Sequence, residues 1–435
     1  MEAARRLDPL THAFCRVDHD EALEVAAELD QRVAQGAAMP GPLAGVPTAM
    51  KDLHSERGKP LCSSSAAIKH PVMDADSPAI RALRDAGLVS IGATVSAEFG
   101  VSAVTESPLH GVAINPWNAE RISGGSSGGA AVAVASGILT VAHGSDGAGS
   151  IREPASYCGL VGMKASRGRV PSNGVGWASE GVLTRTVEDT AAALDALAAA
   201  ELPHWYRPPE RSRSFLEAAR TDPPPLRVAV STMPALPVEV DPEASRVVEA
   251  VADLLADLGH DLVRRDIPGL DPARLQEPFE TYWSCISAGY TIEDEDSLDP
   301  LNAYLRQRAL QTDTLAYVSA LDSLVAQSIP MYALWRDVDV VLTPTSAIPA
   351  PRVGEVGTAP GEDPIKGLHR VEALAAMTFP ANLLGLPAIS IPVIDAVPTP
   401  LGAQLIGGPQ RDDVVLSLAG QLERARPWRG RVPMI

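Results

Sequence analysis

The sequence is poor in lysine, cysteine and aromatic side chains, and it holds no long apolar run. Its 435 residues include four cysteines, Cys15, Cys62, Cys158 and Cys285, with no CxxC pair and no Cys/His cluster. That scatter excludes a thiolate zinc motif, and so few thiols in a long chain fit a reducing compartment. No stretch approaches the ~18 apolar residues of a spanning helix, and the first residues, MEAARRLDPLTHAFCRVDHDEA, lack an apolar h-region. A soluble, cytoplasmic protein is expected. Basic residues are outnumbered, 36 Lys and Arg against 54 Asp and Glu, for a net charge of −18. Such a balance argues against a nucleic-acid surface or an anionic membrane surface. There are only five lysines: Lys51, Lys59, Lys69, Lys164 and Lys366. A lysine amid apolar residues, glycine and proline is therefore conspicuous.

What is present suffices for a large core: 46% of residues are hydrophobic. The length allows one large α/β domain or two smaller ones. Asp20–Gln35 reads as an amphipathic helix, with Leu23, Ala26, Ala27 and Val33 on one side. Pro40–Pro47 breaks regular structure, and Lys51 follows. Asp76-Ser77-Pro78 starts a helix, Gly87 stops it, and Leu88–Val95 reads as a strand. Val187–Ala200 is helical, and Glu201–Pro225 is an irregular, proline-heavy crossing. A strand at Leu226–Ser231, a helix from Asp241-Pro242 to Gly259 and a strand at Asp261–Arg264 continue the alternation. The region from Pro272 to Arg336 is mainly helical and rich in aromatics. Val338–Leu342 and Ala388–Pro392 read as buried strands, and Asp412–Arg424 as a closing helix. The expected fold is α/β: a single domain over 1–435, with a mixed, mostly parallel central sheet covered by helices on both faces. The segment 266–337 is expected to be helical and to cover a substrate pocket.

One stretch stands out, Ser123–Met163. It holds two glycine-flanked serine sites, Gly124-Gly125-Ser126-Ser127-Gly128-Gly129 and Gly147-Ala148-Gly149-Ser150-Ile151-Arg152. Ala130–Leu139 between them can form a short helix, and Leu139–Ala142 a strand. Helix followed by strand would return Ser150 towards Ser126. A serine hydroxyl is a weak nucleophile until a base takes its proton. No histidine has a convincing motif; His143, the nearest, reads as a core or surface side chain. Lysine is a known alternative base, provided burial lowers its pKa from about 10.4. Lys51 follows Val46, Ala49 and Met50, which fits such a setting. Its neighbour Asp52 would oppose the shift, so it is expected to point elsewhere. Each piece alone is weak, since GGSSGG is also a linker composition and a lone lysine is usually a solvated charge. A phosphate loop is excluded, because no lysine follows the glycines.

Together these pieces resemble the amidase signature family of serine hydrolases. Gly41-Pro42-Leu43-Ala44-Gly45-Val46-Pro47-Thr48-Ala49-Met50-Lys51-Asp52 is similar to its lysine motif. Asn115-Pro116-Trp117-Asn118 resembles the segment leading into its glycine-serine loop. Thr343-Pro344-Thr345, the run Asn382–Pro392 and Gly402–Gly407 resemble its C-terminal motifs, in the expected order. The likeness covers most of the chain and thins between about Leu202 and Asp337. It implies an amidase, with Ser150 as nucleophile, Ser126 as proton relay and Lys51 as base. The family's relay serine follows a cis peptide. Gly147, Ala148 and Gly149 would supply oxyanion-binding N–H groups, with Ser127, Asp146 and Arg152 in support. No metal or other cofactor is expected. The expected partner is a small-molecule amide, with a homodimer left open. Alternatives on the same fold are the glutaminase component of a tRNA-dependent amidotransferase and a non-enzymatic assembly component. Ester hydrolysis and acyl transfer use the same groups. Departures from the family pattern include Ser123 for proline, Ala148 for glycine, and Glu153 where a neutral residue is commoner.

Overall fold

The computed structural model describes residues 1–172, 176–200, 208–359, 361–393 and 399–434. Thirteen strands follow in order among them: β1 (Phe14–Val17), β2 (Pro47–Lys51), β3 (Val89–Thr94), β4 (Glu106–Ser107), β5 (Gly111–Val112), β6 (Val141–Asp146), β7 (Val161–Lys164), β8 (Ser179–Thr184), β9 (Arg227–Val230), β10 (Asp261–Arg264), β11 (Val340–Pro344), β12 (Ala388–Val393) and β13 (Leu401–Gly407). Eight of them form one sheet in the order β10-β9-β11-β13-β12-β7-β8-β6. A second sheet, β1-β3-β2, carries Lys51 at its edge. Helices flank the large sheet, and the whole is a single domain.

The sheet is mixed, as expected, but antiparallel pairings outnumber parallel ones. Only β10 with β9 and β9 with β11 run parallel. The other five neighbouring pairs are antiparallel. The reason lies in two late strands. The connections β6 to β7 and β11 to β12 are crossovers of the βαβ kind, which place like-directed strands side by side. Here β8 enters between β6 and β7, and β13 enters between β11 and β12. Each insertion replaces one parallel contact by two antiparallel ones.

The core strands read as the chemistry dictates. β11 (VVLTP) is buried at every position, as a strand covered on both faces must be. The closing helix Asp412–Ala425 buries Val415, Leu416, Leu418 and Leu422. Each contributes about 2 kcal/mol of transfer free energy. The helix Pro242–Asp257 starts at the expected residue, where the Asp241 carboxylate accepts from Glu243 N at 2.7 Å. The helix Pro78–Asp85 also starts where expected, but Ser77 makes no side-chain cap.

Other expectations shift. The proline-heavy crossing over Glu201–Pro225 contains a helix, Phe215–Arg220, and its residues 201–207 lie outside those described. The small-residue helix spans Gly128–Ala135, starting earlier than composition suggests. Tertiary packing outweighs the poor propensity of its two glycines. A Cβ at Gly129 would lie 2.5 Å from the carbonyl oxygens of Ala13 and Val95, so only glycine allows this approach. The fully buried helix packs against β2, β3 and β6. β2 in turn packs beside β6, which brings the ends of Lys51 and Asp146 to one place. No described helix is long and apolar enough to cross a membrane.

Candidate active site

Lys51 ends β2 and is 1% exposed. Asp52 does point elsewhere: its carboxylate accepts from the N–H groups of Ser64 (2.9 Å) and Cys62 (3.3 Å). Lys51 Nζ lies 2.8 Å from Ser126 Oγ and 3.2 Å from both the carbonyl oxygen and Oγ of Ser145. Three oxygen partners are all a tetrahedral amine can serve. In the neutral state two N–H bonds donate to the Ser145 oxygens, and the lone pair accepts the Ser126 hydroxyl. Burial lowers the Lys51 pKa to about 7, against the opposing pull of the Glu180 and Asp146 carboxylates. A large fraction of Lys51 is therefore uncharged near neutral pH.

The Gly125–Ser126 peptide is cis. The next residue ties the two serine motifs together. Ser127 N–H donates to the Ser150 carbonyl at 3.2 Å, and Ser127 Oγ to the Ser145 carbonyl at 3.3 Å. Ser150 is 8% exposed and sits in the turn between β6 and the helix Arg152–Tyr157. Lys51 and Ser126, 75 residues apart, thus meet through their side chains, and the Ser127 backbone ties that loop to Ser150.

The turn is held by a buried ion pair. Asp146 Oδ2 accepts from Ile151 N (3.2 Å) and Arg152 Nε (2.9 Å), and Oδ1 from Arg152 Nη2 (2.8 Å). Burial works to raise the Asp146 carboxyl, but the Arg152 guanidinium overcomes it and holds the value at about 2. Arg152 also donates to the Thr378 carbonyl at 2.8 Å and to the side chains of Gln404 and Asn382. The N–H groups of Gly147, Ala148 and Gly149 donate to no protein acceptor among the described residues. Gly149 has φ +146°, and a Cβ there would come within 1.9 Å of Glu153 Oε1. Ala148, the departure from glycine, is accommodated with its side chain buried.

Sequence reasoning missed the support behind Lys51. His143 is a satisfied core histidine: its Nδ1 accepts from Lys51 N–H at 3.4 Å, and its Nε2 lies 3.1 Å from Glu180 Oε2. That pairing puts the ring proton on Nε2. His54 stands 3.4 Å from the same carboxylate, and burial lowers its pKa to about 4. His54, His143 and Glu180 could offer ligand atoms to a metal, but both ring nitrogens of His143 are already engaged. Glu180 and Ser145 lie on strands whose polar residues gave no periodic signal. Asn382 and Gln404 fall inside quoted motifs, where their contact with Arg152 had no local sign.

A narrow pocket opens beside Ser150. Val101, Phe279, Trp283, Leu368 and Val371 form apolar walls, and Glu153 and Glu372 also line it. Trp283 Nε1 donates to the Val101 carbonyl at 3.0 Å. Its ring lies 3.3 Å from where a Cβ on Gly147 would stand.

A family model described as Amidase matches residues 1–416. The 6-aminohexanoate-cyclic-dimer hydrolase of Pseudomonas sp. (strain NK87) is 33% identical over 426 residues, covering 91% of this chain and 86% of that protein. A glutamyl-tRNA(Gln) amidotransferase subunit from Nostoc punctiforme is 33% identical over 472 residues, covering 100% of this chain and 95% of that protein. A solved structure of 6-aminohexanoate cyclic dimer hydrolase matches with a TM-score of 0.90 at 30% identity, covering 100% of this chain and 93% of that one. With sequence, family match and fold in agreement along nearly its whole length, the chain belongs to the amidase signature family and is an amide-hydrolysing enzyme.

Proposed function

We propose that the chain hydrolyses a small-molecule carboxamide through an acyl-enzyme on Ser150, with Ser126 as proton relay and Lys51 as base. The observation that carries this reading is the 2.8 Å contact between Ser126 Oγ and a buried Lys51 amine whose pKa burial lowers to about 7. Ser150 Oγ attacks the carbonyl carbon as its proton moves to Ser126 Oγ and that of Ser126 moves to Lys51 Nζ. The tetrahedral oxyanion is received by the N–H groups of Gly147, Ala148 and Gly149. Each such donor contributes about 3 kcal/mol in the transition state. The proton returns through Ser126 to the leaving nitrogen, the C–N bond breaks, and the amine departs. Water then attacks the ester by the same route, and the acid leaves Ser150 free. Asp146 and Arg152 hold the turn in shape and touch no reacting atom.

The helical segment 266–337 covers the acyl pocket in this reading, through Phe279 and Trp283. The four free cysteines of the chain fit a cytoplasmic enzyme. The likeness to an amidotransferase component raises a second reading, a glutaminase passing ammonia to a partner. The apolar walls of Val101, Phe279 and Trp283 favour an apolar acyl group over the glutamine side chain. Glutamine-dependent ammonia release with a larger co-purifying protein would reverse that preference.

Labelling with a fluorophosphonate tests the nucleophile. Wild-type protein is expected to gain one adduct by intact mass, and Ser150→Ala none. Turnover retained by a folded Ser150→Ala variant refutes the assignment.

A further inference from the structure

We propose that Cys15, Asp52 and His110 form a binding site for one divalent cation of the zinc class, outside the groups assigned to catalysis and independent of that reading. Cys15 Sγ, an Asp52 carboxylate oxygen and a His110 ring nitrogen all lie within 4.8 Å of one another. They come from three segments: β1, the residue that follows β2, and the turn joining β4 to β5. No contiguous motif links them, so no single stretch of sequence announces the group.

The unmet need sits on His110. Its Nε2 is shielded from solvent and has no hydrogen-bond partner among the described residues. It faces Asp52 Oδ2 at 3.9 Å, too far for a hydrogen bond. In a tetrahedral zinc site, bonds of about 2.0–2.2 Å to nitrogen and oxygen set those two ligands about 3.4 Å apart. A closure of about half an ångström therefore turns the gap into one edge of a coordination tetrahedron. Two of the ligands are also held from behind, as metal ligands are. The Asp52 carboxylate accepts from the N–H groups of Ser64 and Cys62 at 2.9 and 3.3 Å. Ser107 Oγ accepts from the N–H groups of Leu109 and His110, each at 3.1 Å, and so fixes the His110 turn. The Asp52 side chain is 2% exposed and that of His110 18%, which leaves a sheltered site with a way in from solvent. Neighbouring basic groups are engaged elsewhere. Arg16 donates to Asp18 at 2.9 Å and to Glu56 at 2.6 Å, and His70 Nε2 donates to the Ser65 carbonyl at 2.8 Å.

The donor set names the class of cation. Thiolate and imidazole suit zinc and cobalt(II), whereas calcium and magnesium want oxygen ligands throughout. The Cys15 thiol donates to the Ala93 carbonyl at 3.4 Å. On binding it gives its proton to solvent, and the sulfur bonds the cation. Asp52 and the neutral His110 ring add lone pairs, and the thiolate and carboxylate charges cancel the dication. Burial raises the thiol and lowers the imidazole, so the proton leaves sulfur only when a metal displaces it. Asp52 directly follows Lys51. A cation here therefore ties the strand that presents the amine to β1 and to the β4-β5 turn.

The test titrates untagged full-length protein, stripped with EDTA, with Co2+ as a spectroscopic stand-in for zinc. Wild type is expected to bind one equivalent with a thiolate-to-cobalt charge-transfer band in the near ultraviolet. Equimolar Zn2+ should bleach the band, and Mg2+ should leave it. Cys15→Ser is expected to abolish it, while Cys62→Ser, Cys158→Ser and Cys285→Ser each keep it. His110→Ala should weaken binding by about 100-fold or more, and Ser107→Ala, which frees the turn, by about tenfold. Zinc should raise the wild-type Tm by mass action and leave that of His110→Ala unmoved. Circular dichroism identifies any variant that fails to fold. If Cys15→Ser is one, retention of the band by the other three cysteine variants assigns it to Cys15 by elimination. A wild type without the band overturns the site and leaves His110 and Asp52 as a plain charged pair. A band that survives in folded Cys15→Ser, or is lost with another cysteine, overturns it too. Ser150→Ala is expected to bind the cation as wild type does, so failure of this site and failure of the nucleophile assignment are read separately.

Discussion

Lys51 and Lys164 are both 1% exposed, and burial lowers the pKa of each to about 7. They part at their neighbours. Lys51 Nζ faces two serine hydroxyls and a carbonyl. Lys164, at the end of β7, donates to the Ala165 carbonyl at 2.8 Å, an acceptor with no proton to give. A depressed pKa therefore reports desolvation, and desolvation alone does not make a base. In the proposed mechanism the base is the lysine that also has a hydroxyl within hydrogen-bond reach to serve as relay.

The difference breaks most readily under paired substitution. Lys51→Met is expected to lower kcat by on the order of 10³-fold or more, whereas Lys164→Met keeps it within about threefold. Equal losses in two folded variants would erase the distinction. The same pair has a pH signature. Wild-type kcat/KM is expected to rise with pH as Lys51 loses its proton, with an apparent pKa near 7. Lys164→Met should keep that limb, and Lys51→Met should lose it.

Stability responds differently from rate. Both lysines have folded-state values below the ordinary 10.5, so between about pH 7 and 10.5 the unfolded chain binds more protons than the folded one. Stability contributed by each thus rises with pH across that window and falls away as pH drops towards 7. Lys164→Met is expected to flatten the slope of Tm against pH there, and an unchanged slope would contradict the assigned burial effect.

A global effect on folding, rather than a local one on rate, is expected at the buried pair. Asp146→Asn leaves the Arg152 guanidinium uncompensated and should cost about 3–5 kcal/mol in urea unfolding. Intact stability with altered substrate choice would overturn its structural role. The smallest effect belongs to Ser145→Ala, which removes one of the three Lys51 partners. One net hydrogen bond is worth about 1 kcal/mol, so kcat should fall roughly fivefold. No change would mean that the Ser145 carbonyl alone positions the amine.

Much of the fold was legible where one face of an element is apolar. The helix Asp412–Ala425 and the strands β9 to β12 fall close to their expected places. The helix His19–Ala34 also forms where expected, but not with the expected face inward: Leu23, Ala27 and Val33 are exposed and Ala22 is buried, because it packs on β3 along another stripe. The helix-strand alternation predicted a sheet with mostly parallel neighbours, yet no local pattern announces that β8 and β13 will enter between crossover partners. β8, SEGVLT, lacks a run of β-formers, and its Glu180 reads as a solvated charge although it is 2% exposed. β6 was cut short for the same reason, because His143, Gly144 and Ser145 carry no alternation.

The site divides along the same line. The groups proposed for catalysis, Lys51, Ser126, Ser150 and the turn Gly147–Gly149, could be singled out because one is a scarce lysine and the others sit in short, glycine-flanked contiguous motifs. Ser145, Glu180 and His143, and the pocket made by Phe279, Trp283, Glu153 and Glu372, were not. The amino-acid sequence by itself determined which groups are proposed to carry the chemistry and which backbone is permissive enough to present them. Only the tertiary structure decided which polar groups would be buried and which left without partners. Burial and long-range contact depend on how β2, β6 and the helix Pro272–Ala288 pack together, and that is a property of surfaces distant in the chain.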